Sequence, residues 1–98
     1  MKGMKPVNWN TKKNILLKAE RGISFEEVLS AMSHGGLLDI RDHPNKEQYP
    51  NQRLLVVRIR NYAYLVPFVE NGSEVFLKTI IPSRKATRHY LTEESSNG

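Results

Sequence analysis

The chain contains no cysteine, so it can form neither disulfide bonds nor cysteine-ligated zinc sites, and a reducing compartment is permitted. Its three histidines, His34, His43 and His89, do not have the spacing of a metal site. No apolar run approaches the roughly 20 residues that a membrane-spanning helix needs, and no signal-peptide core follows the N-terminal lysines. We therefore expect a soluble cytoplasmic protein.

Acidic residues are too few to balance the basic ones. Ten Asp and Glu stand against fifteen Lys and Arg, which gives a formal net charge of +5. This charge favours a polyanionic partner, namely nucleic acid, an acidic protein or an anionic membrane surface, and does not choose among them. At 98 residues, 39% of them hydrophobic, the chain has room for one core. We expect one domain over residues 1–92 and a mobile polar tail over residues 93–98.

Two helices are predicted in the N-terminal half. Asn10 or Thr11 can cap the first helix, which ends at Gly22. Ser24 and Glu27 form a capping box that begins the second helix. Apolar side chains recur at helical spacing on one face of the second helix, which indicates that this face is buried. They are Phe25, Val28, Leu29 and Met32.

Strand patterns follow the second helix. A short strand is predicted at residues 37–41 and a polar loop at residues 42–51, before longer strands over residues 53–63, 64–69 and 74–81. Turns are expected at residues 60–62 and at Asn71 and Gly72. The expected fold class is α+β, with two N-terminal helices, an antiparallel sheet of about four strands and a short C-terminal helix.

Alternation along the first of the longer strands predicts the direction of its side chains. Arg58 and Arg60 fall on one face with Leu54 and Val56, and Leu55, Val57 and Ile59 fall on the other. We expect Lys78 of the last strand to lie near the two arginines as part of a basic strip. The alternative is a solvated face whose cations discourage edge-to-edge aggregation. Tyr62 could stack on RNA bases or be a half-buried core residue.

The densest positive charge lies in the segment FLKTIIPSRKATRHYL, residues 76–91. An apolar run stops at a proline, and Ser83 can then cap a helix. The basic residues of that helix are Arg84, Lys85, Arg88 and His89. Cations in a first turn oppose the helix dipole, and a bound phosphate would reverse that cost. The alternative is a solvated helix face held in place by the apolar side of the helix.

Two stretches resemble the BrnT family of bacterial type II toxins. They are NWNTKKNILLKAERGISFEEVL at residues 8–29 and IIPSRKATRHY at residues 80–90, and the resemblance extends from about residue 8 to residue 91. The matching residues are Trp9, Lys12, Gly22, Ser24, Phe25, Glu26, Arg84, Lys85, Ala86, Thr87 and Arg88, and Lys78 occupies a usually basic position. The chain departs from the family pattern at Asn10, at Glu20 and Arg21, and at Pro82.

The resemblance implies a compact fold similar to RelE and ParE toxins. It further implies cleavage of RNA without a metal or other cofactor, and neutralisation by a cognate antitoxin, commonly of the ribbon-helix-helix type. Toxin and antitoxin of this family usually repress their own operon together. Operator DNA would therefore be contacted only through the antitoxin.

Metal-free RNA cleavage needs a base for the 2′-hydroxyl proton, cations for the phosphorane and an acid for the leaving 5′-oxygen. The candidates for catalysis are Arg58, Lys78, Arg84, Lys85, Arg88 and His89. We expect the arginines and Lys78 to stabilise charge, and His89 or a desolvated Lys85 to move protons. The candidates for further RNA contacts are Arg60, Tyr62 and Lys18.

A binding module without catalysis is the competing hypothesis. The same basic face would dock an acidic protein or nucleic acid and take part in operon autoregulation. Arg84→Lys or His89→Gln separates the two hypotheses, because catalysis depends on geometry and proton transfer whereas docking tolerates retained charge.

Overall fold

A computed structural model describes residues 5–91. This part of the chain has an α+β fold with three helices and a mixed sheet of six strands. In chain order the elements are β1 (Val7–Trp9), α1 (Thr11–Arg21), α2 (Phe25–Ser33), β2 (Leu37–Asp42), β3 (Gln52–Ile59), β4 (Tyr62–Glu70), β5 (Val75–Leu77), β6 (Ile81–Pro82) and α3 (Arg84–Leu91). The tail predicted at residues 93–98 lies outside the described residues.

Both N-terminal helices begin at the predicted residues, and α1 also ends at the predicted glycine. Asn10 caps α1 by accepting a hydrogen bond from the Lys13 N–H at 2.9 Å. Gly22 ends α1 in the left-handed conformation, with φ of 66°, where glycine carries no Cβ penalty. Ser24 and Glu27 form the capping box of α2 in both directions. These predictions are confirmed. Each cap involves residues only a few positions apart, so a local sequence pattern is sufficient to predict it.

Asn14 joins α1 to α2, a role that no sequence pattern indicated. Its buried side chain accepts a hydrogen bond from the Phe25 N–H and donates one to Glu26, both at 2.8 Å. The bond from Asn14 is the main reason why the pKa of Glu26 is lowered. The apolar Ile15 and Leu16 of the same helix are exposed.

The sheet has the strand order β1-β5-β4-β3-β2, and β6 also pairs with β4. β1 runs parallel to β5, whereas the other pairs are antiparallel. The prediction of an antiparallel sheet of about four strands is therefore wrong in strand number and in its purely antiparallel pairing. A three-residue strand such as Val7–Trp9 is too short to show alternation, so the sequence does not mark it.

The predicted strand at residues 74–81 is two strands. β5 ends at Leu77, β6 begins at Ile81, and both pair with β4. The side chains do not alternate between the two faces of the sheet from β5 to β6, because Leu77 and Ile80, which are three positions apart, are buried in the same core. The turns fall where they were predicted, with positive φ at Arg60 and Asn61 between β3 and β4.

Helices cover both faces of the sheet. The first core lies between the sheet and α1 and α2, and includes Phe25, Val28 and Val57. The second core lies on the opposite face, where α3 packs against β3 and β4 and buries Ala86 with Val56. The face predicted to carry a basic strip is therefore partly covered by a helix.

Of the three cations of the predicted strip, Arg58 and Arg60 line one small cleft beside α2, whereas Lys78 lies apart from them. Arg60 leaves the strand and donates to the Gly22 carbonyl at 3.1 Å and to Glu27 at 3.3 Å, next to α2. Arg58 pairs with Ala63 of β4, whereas the Lys78 N–H bonds to the carbonyl of residue 67. Four residues along β4 correspond to roughly 13 Å, so Lys78 does not continue the row of Arg58 and Arg60.

Candidate nucleic-acid interface

An open cleft lies between β2, the loop that follows it and α3, on the face of the sheet that α3 covers. Its volume is about 1020 Å³. Its charged and aromatic lining comprises Asp39, Arg41, Asp42, Lys85, Arg88, His89 and Tyr90, and apolar lining comes from Leu54, Leu65 and Ala86. The cleft is large enough to accept part of an extended polymer.

Four hydrogen bonds order the first turn of α3, and two of them join it to Ala63 of β4. Ser83 Oγ accepts from the Ala86 N–H at 3.0 Å, as predicted for a cap, and the Ser83 N–H donates to the Ala63 carbonyl at 3.0 Å. Thr87 Oγ1 accepts from the Ala63 N–H and donates to the Ser83 carbonyl, both at 2.8 Å. The direction of the α3 side chains is set by these contacts.

Positive charge from two elements converges on the cleft. Lys85, Arg88 and His89 have the spacing i, i+3 and i+4, so they share one face of α3. Arg41 reaches the cleft from β2. Two carboxylates, Asp39 and Asp42, also line the cleft. Asp42 forms an ion pair with Lys46 of the loop that follows β2, with 3.3 Å between the charged atoms. The arrangement is suited to a phosphate group, which charged donors bind strongly.

A hydrogen bond between Tyr90 and Asp39 connects α3 to β2. Tyr90 Oη donates to Asp39 Oδ2 at 2.5 Å, and the Ile40 N–H donates to Oδ1 of the same carboxylate at 2.8 Å. These two donors, the hydroxyl first, hold the pKa of Asp39 below its ordinary value. The same contact with Asp39 raises the pKa of Tyr90. At neutral pH the pair is therefore a carboxylate and a protonated phenol.

His89 is the one histidine that lines this cleft among the described residues. Its ring contacts the Tyr90 ring edge-on, with 4.6 Å between centroids and an interplanar angle of 88°. Edge-to-face contact is a preferred geometry for aromatic rings. An exposed imidazole therefore lies beside three cations and against a tyrosine that β2 holds in place.

The structure brings together three of the six residues predicted for catalysis, which are Lys85, Arg88 and His89. Arg84 is exposed on α3 but does not line the cleft. Arg58 lines a smaller cleft of about 330 Å³ beside α2. Lys78 lies with its ammonium nitrogen 5.6 Å from the centroid of the Phe76 ring.

The residues predicted for further RNA contacts lie outside the larger cleft. Arg60 lines the smaller cleft and pairs with Glu27. Tyr62 contacts Tyr64 edge-on, with 5.7 Å between ring centroids. Lys18 is exposed on α1, near enough to Glu26 to help lower the pKa of that carboxyl group. These three residues do not form one surface with the cations of α3.

Sequence reasoning missed Asp39, Arg41 and Tyr90. The segment LLDIRD of β2 alternates after its second residue, which puts Asp39 and Arg41 on one face. This alternation could have predicted that the two residues share a face, but it contains no signal that α3 packs beside them. Tyr90 belongs to the apolar side of α3, which was expected only to hold the helix in place.

Within residues 5–91, no group of three or more His, Asp or Glu side chains could hold a metal ion. No helix in that part of the chain is long and apolar enough to cross a membrane. Comparison of the chain with protein-family models, curated proteins and solved structures found no match. Function is therefore inferred from the cleft and from the motifs described above.

Proposed function

We propose that this chain is the toxin of a bacterial type II toxin-antitoxin system, and that it cleaves RNA in the cytoplasm without a metal. The observation that carries the proposal is the convergence of Arg41, Lys85, Arg88 and His89 on one open cleft. Three of these four residues lie in the segment that resembles the closing motif of BrnT toxins. The alternative activity is binding of RNA or an acidic protein without cleavage.

The chemistry follows from the groups present. His89 accepts the 2′-hydroxyl proton in its neutral form, and the 2′-oxygen attacks the adjacent phosphorus. Arg41, Lys85 and Arg88 stabilise the charge that develops on the phosphorane. The bond to the 5′-oxygen then breaks, and the protonated His89 returns the proton to the leaving oxygen. Lys85 is exposed and not desolvated as expected, so it is assigned to charge stabilisation alone. The products are a 2′,3′-cyclic phosphate and a 5′-hydroxyl.

Residues outside the cleft have different roles in this proposal. The predicted site residues outside the cleft contact neighbouring parts of a longer RNA or contribute to the general positive field. They are Arg58, Lys78 and Arg84, together with Arg60, Tyr62 and Lys18. Neutralisation follows from charge, because an acidic segment of a ribbon-helix-helix antitoxin would occupy the cleft and exclude RNA. The complex would then repress its operon through the DNA-binding domain of the antitoxin.

Cleavage of an end-labelled oligoribonucleotide in the presence of a chelator tests the proposal. We compare the native chain with Lys85→Ala/Arg88→Ala and with His89→Gln. A matched control is Lys12→Ala/Lys13→Ala, which removes the same charge from α1, on the other side of the sheet. The proposal requires chelator-resistant cleavage by the native chain and the control, a loss of about 100-fold or more in each cleft variant, and a cyclic phosphate product.

Two outcomes would contradict the proposal. Binding without cleavage by the native chain, with affinity retained in His89→Gln, would establish the binding module instead. Cleavage that is reduced equally in the cleft variant and the α1 control would show that net charge, and not the cleft, is responsible. Induced expression in a bacterial host, with growth and total RNA followed over time, checks whether the same variants relieve toxicity.

A further inference from the structure

Asp39 is held in a single orientation by two elements. One carboxylate oxygen accepts the Tyr90 hydroxyl at 2.5 Å and the other accepts the Ile40 N–H at 2.8 Å. A bond between a hydroxyl and a charged carboxylate is short and about twice as strong as a neutral one. The partners are 51 positions apart in sequence, so the bond fixes the end of α3 to β2.

Tyr90 transmits this constraint to His89. The two rings are perpendicular, with centroids 4.6 Å apart, and the Tyr90 ring also packs in the second core. An exposed side chain samples several rotamers unless a neighbour restricts it. Since Tyr90 is fixed at its ring and at its hydroxyl, it gives the imidazole a rigid wall.

The charges around this contact favour an ionised Asp39. From α3, Asp39 faces Tyr90 and His89, and from β2 it faces the Ile40 amide and Arg41, all of which lower the pKa of its carboxyl group. Asp39 raises the pKa of Tyr90, so the phenol keeps its proton. The hydrogen bond therefore persists over the pH range in which an imidazole exchanges protons.

We propose that Asp39 and Tyr90 are positioning residues that hold the His89 imidazole in the orientation needed for proton exchange with RNA in the cleft. This inference rests on the proposed ribonuclease function. Neither residue touches the reacting atoms in this proposal. They act on proton exchange through His89, and both also interact with Arg41, one of the cations that contact phosphate in the proposed function.

A double-mutant cycle tests whether Asp39 and Tyr90 act through His89. Tyr90→Phe keeps the ring and its packing but removes the hydroxyl, and Asp39→Asn keeps the shape but removes the charge. Each should lower kcat for RNA cleavage about tenfold with a smaller change in KM, because the proton acceptor is misplaced while the cations Lys85 and Arg88 remain in the cleft. In a His89→Gln background the same substitutions should have less than about a twofold effect. Equal losses in both backgrounds would overturn the proposal.

Tyr49→Phe is the matched control, since Tyr49 also lies against a histidine, His43, with 4.6 Å between ring centroids, but outside the cleft. It should leave kcat unchanged. The melting temperature of each variant checks that the fold is retained.

An NMR measurement separates this inference from the proposed function. Nuclear Overhauser contacts between the rings of His89 and Tyr90 should be present in the native chain and weakened in Asp39→Asn. If the native chain shows those contacts and Asp39→Asn loses them, but no RNA is cleaved, the positioning contact stands and the ribonuclease proposal is wrong. If the contacts are unchanged in Asp39→Asn, the inference is wrong whatever the activity.

Discussion

At the scale of single residues, side chains of the same type line different surfaces because they point in different directions. Arg84 and Arg88 lie one helical turn apart on α3, yet only Arg88 lines the cleft. Arg58 and Arg60 both line the smaller cleft beside α2, where Arg60 pairs with Glu27, and neither shares a cleft with Arg88. The sequence gives the number of cations but not the surface to which each belongs.

Substitution of these two arginines should therefore have unequal effects. We expect Arg88→Ala to lower kcat/KM for RNA cleavage by about 100-fold, because it removes a charge that contacts the phosphorane. Arg84→Ala should lower kcat/KM by less than about threefold, because that charge acts only through the screened field. Steady-state cleavage of one oligoribonucleotide measures both. Similar losses in the two variants would place the reacting phosphate elsewhere.

Gly36 is restricted by the backbone around it. A Cβ at this position would lie 2.7 Å from the Ala31 carbonyl oxygen and 2.9 Å from that of Arg58. We expect Gly36→Ala to lower the free energy of unfolding by about 1–3 kcal/mol, since α2 and β3 would have to separate. Gly72→Ala is the control, because a Cβ there meets nothing within 4 Å. Urea denaturation measures both, and an equal effect at the two positions would contradict the prediction.

At the scale of elements, the cleft depends on how α3 is attached. Thr87 bonds α3 to β4 without lining the cleft. Its hydroxyl group therefore serves to attach the helix to the sheet. The cations on either side of it depend on that attachment for their direction.

Replacement of Thr87 by valine tests the attachment. The change keeps the shape of the side chain but leaves the Ala63 N–H without its partner, so we expect a loss of about 1–3 kcal/mol in the free energy of unfolding. Thr87→Ser retains the hydroxyl and should recover most of that loss. Thermal or urea unfolding of the two variants measures the difference, and equal stability of the two variants would show that the hydrogen bond is unimportant.

At the scale of the whole molecule, three carboxyl groups among residues 5–91 have lowered pKa values. They are Glu26, Asp39 and Glu70. In each case the largest cause is a side-chain hydrogen bond, from Asn14, Tyr90 and Lys5 respectively. A group whose pKa is lower in the folded chain contributes stability above its unfolded pKa. That contribution is lost as the pH falls through the folded pKa.

Acid should therefore weaken the fold. We expect the melting temperature to decrease as the pH is lowered from about 5 to about 3, where carboxyl groups become protonated. Asp39→Asn removes one of the three groups, so its melting temperature should lie below that of the native chain at neutral pH and approach it in acid. Circular dichroism at each pH measures this, and a difference that stays constant would contradict the linkage.

Local features of this protein were determined by the sequence itself. The caps at Asn10 and Ser24, the turn at residues 60–62 and the shared helix face of Lys85, Arg88 and His89 depend on residues within about one helical turn of each other. Composition likewise determined the excess of positive charge. Adjacent residues are held together by the chain, so their pattern is sufficient to predict these contacts.

Only the tertiary structure decided how the elements combine. It placed β1 beside β5, put α3 on the second face of the sheet and joined Tyr90 to Asp39 across 51 positions. It also diverted Arg60 to Glu27, 33 positions away. Such contacts depend on packing of the whole sheet, which no local period encodes. For this reason the sequence predicted a basic α3, whereas the fold decided which of its cations share a cleft with Arg41.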